Sequence, residues 1–190
     1  MKTILKNLKA CDKAIEWVED KTIEEAVNEC PRGDWMLWLA QELDVDFKAL
    51  TLAKGLCANT VRHLMIDKRS IKAVDTAIAF GSGEATIEEL MDAAASAASA
   101  STSYAAYTTY AYDPAAAYAA SAAYASVYAS DAADASTSWA ASAYASASTS
   151  YAASNKDNQL LTANICREHL GQFIIDKCKS LKTHKNESNT

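Results

Sequence analysis

The sequence predicts an all-α protein: an N-terminal bundle of short amphipathic helices that continues into long Ala/Ser/Tyr-rich helices and a closing C-terminal helix. Three observations carry this. Outside the alanine-rich part, apolar residues recur at intervals of three and four, the spacing of one helix face. Thr22/Glu25 and Thr86/Glu89 have the Thr-x-x-Glu spacing of a capping box, in which hydroxyl and carboxylate each take up a free backbone amide. Residues 93–154 hold 28 Ala, 14 Ser, 9 Tyr and 5 Thr, with no Gly and one Pro. Alanine loses no side-chain entropy in a helix, so this composition favours one.

In chain order, Ile4, Leu8, Cys11, Ile15 and Val18 form one stripe and predict a first core-facing helix. The Thr22/Glu25 box starts a second, which Pro31 and Gly33 break. Asp34 suits the cap of Trp35-Met36-Leu37-Trp38-Leu39-Ala40, a run apolar on every side that belongs at the centre with Trp35 and Trp38 in the core. Leu50, Ala53, Cys57, Val61 and Leu64 repeat the spacing behind Asp46, and Ile71, Val74 and Ile78 repeat it behind Ser70. Gly81-Ser82-Gly83 supplies a turn, and the Thr86/Glu89 box launches the alanine-rich tract.

That tract divides near 113–114, where Asp113-Pro114 reads as an N-cap followed by proline at the first helical position. Continuous arms of roughly 26 and 40 residues would reach about 39 and 60 Å. The heptapeptide ASTSYAA at 100–106 recurs at 147–153, and as ASTSWAA at 135–141, without a regular repeat period. Leu161, Ile165, Leu170, Phe173, Ile174, Cys178 and Leu181 make a closing amphipathic helix that must dock on an apolar surface. The organisation expected is thus a bundle over 1–92, helical arms over 93–154, a docked helix over 155–181 and a disordered polar tail over 182–190.

Net charge is −6, and the alanine-rich tract has neither Lys nor Arg, which disfavours direct nucleic-acid binding there. Five cysteines at irregular spacing, with no C-x-x-C pair, fit a reducing compartment. No apolar run approaches the ~18 residues of a membrane span, and Lys6 and Lys9 interrupt the N-terminal apolar stretch before it resembles an export signal. The expectation is a cytoplasmic protein with no membrane association.

Chemistry is sparsely encoded. His63, His169 and His184 are isolated from one another in sequence, and Cys57 and His63 would not share a helix face, so no metal site and no cofactor is expected. Glycine-rich phosphate loops and nucleophile elbows are missing. Adjacent pairs such as Glu24/Glu25 and Glu88/Glu89 sit at helix N-termini, where the helix dipole accounts for them. The chain is expected not to be an enzyme.

Cys30-Pro31-Arg32-Gly33-Asp34-Trp35-Met36-Leu37-Trp38-Leu39, then Leu52-Ala53-Lys54 with Cys57-Ala58 and Val61-Arg62, then Ala73 to Ala77 leading through Gly83-Glu84-Ala85-Thr86 to an Ala/Tyr-rich tract, is an ordered set of blocks. In that order they resemble the immunity proteins of bacterial polymorphic toxin systems, specifically the fifth numbered immunity family, over about residues 10–180. The resemblance implies a protein that neutralises a cognate toxin by binding it, and similar proteins occur in phage-like contexts. It transfers no catalytic residue.

The function expected is therefore a non-catalytic binding protein that blocks a toxin or effector, one with a basic surface if the net acidity is to be complementary. Tyr107, Tyr118, Tyr124, Tyr128, Trp139 and Tyr144 are the candidate contacts, with Asp131 and Asp134 as an acidic rim. Arg32, Asp34 and Arg62 are expected to form a structural polar network joining helix termini. Two other readings are a structural or assembly protein that self-associates as a homo-oligomer through its alanine-rich helices, and a phage inhibitor of a host defence enzyme.

Overall fold

A computed structural model describes residues 1–65, 67–108 and 156–187; beyond Ala97 in the seventh helix, and at both ends of the last, only the backbone course is described. The described residues are helical, with turns between helices and no strand. In order they are α1 (Lys2–Asn7), α2 (Asp12–Val18), α3 (Ile23–Asn28), α4 (Gly33–Glu42), α5 (Phe47–Asn59), a 3-10 turn (Arg62–Leu64), α6 (Lys68–Gly81), α7 (Ile87–Thr108) and α8 (Lys156–Glu187).

The first stripe is not one helix. The chain turns at Lys9, whose φ is +59°. The amide of Ala10 donates to the carbonyl of Leu5 at 2.9 Å, a six-residue closure that ends α1 in a left-handed residue. Cys11, expected on the buried stripe, is exposed, whereas Ile4, Leu5, Ala14 and Val18 are buried. Folding α1 back against α2 lets both faces reach one core, which a single straight rod would not allow.

Both capping boxes form. Thr22 Oγ1 accepts from the Glu25 amide at 3.1 Å while Glu25 Oε2 accepts from the Thr22 amide at 2.8 Å, and Thr86 and Glu89 do the same at 3.2 and 2.8 Å. Asp46 caps α5 through the Ala49 amide. Two caps differ from expectation. Asp34 lies inside the first turn of α4, engaged by Arg32 at the N-cap. Asp67 caps α6 through the Arg69 amide, which leaves Ser70 buried in the helix with its hydroxyl unpaired.

α8 packs against α3, α4 and α5, and a second line of contacts runs from α5 to α6 to α7. The main core joins Leu37, Ala40, Leu43, Val45, Leu50 and Ala53 to Cys166, Leu170, Ile174 and Cys178 of α8. A smaller cluster joins Ala73, Ala77 and Phe80 of α6 to Leu90, Ala93, Ala94 and Ala97 of α7. The Phe80 ring stands 5.2 Å from Phe47.

The expected face of α8 is buried at Leu170, Ile174 and Cys178, with Ile165 half-buried against the core, but not along its whole length. Leu161, Phe173 and Leu181 are exposed, and Thr162, Ala163 and Cys166 point inward instead. The reason is a close crossing with α4: a Cβ at Gly33 would lie 2.6–2.8 Å from atoms of Thr162, including its backbone carbonyl carbon. Only small side chains fit where the helices come that near. α8 also continues as helix to Glu187, through part of the stretch expected to be a disordered tail.

Candidate functional site

The first four helices surround an apolar cleft. Trp17 comes from α2, Trp35, Met36, Trp38 and Leu39 come from α4, and Ile174 of α8 helps close it. Roughly 410 Å³ of empty space lies within it, part of it open to solvent. Of its lining side chains, none carries a hydroxyl, carboxylate or amine. Trp35 and Trp38, expected in the core, are half-buried and pack on the core from outside. Residues 35–40 of α4 are apolar on every side, so once Met36, Leu37, Leu39 and Ala40 face inward the two tryptophans are left to form the wall of a cleft.

Cations lie against the indoles. Lys21 Nζ lies 5.2 Å from the Trp17 ring and the Arg32 guanidinium 5.0 Å from Trp35, while the two indoles are 6.2 Å apart and tilted. Each cation also holds an acid. Lys21 pairs with Glu29 at 2.6 Å, and Arg32 grips Asp34 with two of its nitrogens, Nε donating to Oδ1 at 2.9 Å and Nη2 to Oδ2. The bond to Asp34 holds the Arg32 pKa above its ordinary value. Cys30, which also lines the cleft, has its thiol pushed up to about 11 by burial, so the closed fold favours its protonated form.

The expected network of Arg32, Asp34 and Arg62 does not form as one unit. Arg62 is engaged elsewhere, in a two-pronged pair with Asp75 that ties the 3-10 turn to α6 at an exposed position. Sequence periodicity missed the residue that does join helix termini. Arg167 of α8 donates through Nη2 to the Cys30 carbonyl at 2.9 Å and through Nε to the Val27 carbonyl at 3.4 Å, taking up the open C-terminal end of α3. An arginine interrupting the apolar face of α8 was the only hint. Lys54, part of the second ordered block, is buried. Its amine lies in the interior beside Gln41 Oε1 at 3.1 Å, and desolvation lowers its pKa to about 7.

The candidate contacts Tyr118, Tyr124, Tyr128, Asp131, Asp134, Trp139 and Tyr144 lie outside the described residues, and Tyr107 falls in the last turn of α7, where only the backbone is described. Among the described residues no group of three His, Cys, Asp or Glu could hold a metal ion, and no helix is long and apolar enough to cross a membrane. No protein-family model, curated protein or solved structure matches the chain.

Proposed function

We propose that the chain is a non-catalytic binding protein that neutralises a toxin or effector by steric occlusion, and that the tryptophan-walled cleft receives an apolar side chain of that partner. The observation that carries this reading is the cleft itself: three tryptophans around an apolar hollow, with Arg32 and Lys21 stacked beside them. Tryptophan and arginine dominate binding energy at protein interfaces, where a preformed pocket takes an anchor residue. An apolar lining supplies desolvated contact area, while the neighbouring ion pairs set orientation more than affinity. The toxin as partner rests on the ordered blocks from Cys30 to Thr86 and on nothing in the fold.

The test begins with co-purification from the native host and measures affinity and inhibition for the isolated partner. Trp35→Ala and Trp38→Ala are expected to weaken binding by about ten- to a hundredfold with helicity unchanged by circular dichroism. A second set removes the candidate tyrosines between 107 and 144. Unchanged affinity in the tryptophan variants moves the interface away from the cleft, and a bound partner that keeps full activity ends the inhibitory reading.

A further inference from the structure

We propose that Cys57 and Cys166 are a thiol pair placed to close into an intramolecular disulfide when the protein meets a thiol oxidant, fastening α8 to α5. The two Sγ atoms lie 3.8 Å apart, both residues are buried, and both are free thiols. They stand on two helices packed against each other, so the bond needs an approach of under ~2 Å to the usual S–S length, within reach of side-chain rotation and small helix shifts. Carbonyls face both: Cys57 Sγ meets the Thr162 carbonyl at 3.8 Å and Cys166 Sγ the Gly33 carbonyl at 3.6 Å.

This setting fixes the resting state. The hydrogen bond with Cys57, together with burial, holds the Cys166 thiol well above its ordinary pKa, so the closed fold favours the dithiol and ionisation follows local opening. With hydrogen peroxide, one thiolate attacks a peroxide oxygen, giving a sulfenic acid and a hydroxide that takes up the released proton as water. The second thiol then attacks that sulfur, the S–S bond forms and a second water leaves. Two thiols are oxidised and one peroxide is reduced. The partners are 109 residues apart in sequence, so the bridge encloses the whole alanine-rich tract and restricts the unfolded chain strongly.

The test uses the full chain, with exposed Cys11 as the marker that oxidant has acted and Cys11→Ser to prevent intermolecular coupling. After hydrogen peroxide treatment, thiol titration of the Cys11→Ser chain should show the loss of two thiols, and peptide mapping of the wild type, whose oxidised Cys11 marks that oxidant has acted, should find Cys57 linked to Cys166. Dithiothreitol should reverse the link. The linked form should melt roughly 5–10 °C higher than the reduced one. Cys57→Ala and Cys166→Ala should each abolish the bridge, although the wild-type peptide map decides the matter whether or not those variants fold. Both thiols remaining free after prolonged exposure that fully oxidises Cys11 would overturn the proposal. So would linkage to Cys30 or Cys178, separate oxidation to sulfinic acids, or a linked form that melts lower.

Discussion

Lys54 bears an ammonium group in a place that suits a methionine. Its pKa falls from 10.5 to about 7 because burial penalises the charged form. Between those two values the unfolded chain holds a proton that the folded chain has released, so stability rises with pH across that window and the effect is constant below about 7. Lys54→Met should remove this slope. At pH 7 it should be more stable than wild type by about 1–3 kcal/mol, because the charge no longer needs desolvating, and the gap should close towards pH 10. Urea titrations of both proteins at neutral and alkaline pH check this, and a gap that widens with pH would contradict the sign. Nothing in the sequence around Lys54 announces the burial. It stands between Ala53 and Gly55 on a helix, and α4, α6 and α8, packed against α5 from other parts of the sequence, close the interior around it.

At the scale of the helix, three starts were legible in their caps, while the starts of α2, α4 and α6 and the stops at Lys9 and Asp44 were not. A start is written in side chains: Thr22 with Glu25, Thr86 with Glu89 and Asp46 all cap as their spacing predicts. Three stops are written in backbone conformation. Lys9, Asp44 and Gly83 each take a left-handed φ, and a six-residue hydrogen bond closes each turn, from Ala10 to Leu5, Val45 to Ala40 and Glu84 to Ala79. Only the third has the residue type that advertises it. Lys9→Gly and Asp44→Gly should therefore stabilise by up to about 1 kcal/mol each, and Gly83→Ala, where there is open space but strained backbone, should cost about as much. Thermal melts of the three variants provide the measurement. The stop of α3 is handled differently, by Arg167 of α8 reaching the Val27 carbonyl in its last turn and the Cys30 carbonyl just beyond it. Arg167→Ala should destabilise by about 1–3 kcal/mol, and Arg167→Lys should recover only part of that, since an ammonium lacks the planar fork that meets two carbonyls at once.

Over the whole molecule, the all-α class, the need for a docked closing helix and the middle of its docked face, Leu170, Ile174 and Cys178, were legible from the apolar spacing, whereas the ends of that face were not. Leu161, Phe173 and Leu181 are exposed, and at the start of α8 the tight crossing of Thr162 over Gly33 turns Thr162, Ala163 and Cys166 inward instead of Leu161. The tryptophan cleft was hidden for a related reason: a run apolar on all sides looks central in sequence, and α4 still turns two indoles outward. The docking of α8 has a consequence that can be measured. Leu170, Ile174 and Ile175 are buried there, each contributing roughly 1.5–3 kcal/mol, a sum comparable to the ~5–15 kcal/mol that separates folded from unfolded domains. A chain ending at residue 155 should therefore lose cooperative unfolding, bind a hydrophobic dye and retain only part of its helix signal. A peptide covering 156–187 added in excess should restore a single sharp transition, with a midpoint that rises with peptide concentration as mass action requires. If the truncated chain instead melts cooperatively at the full-length temperature, the core belongs to α1–α7 alone, and α8 lies on a surface that was already complete.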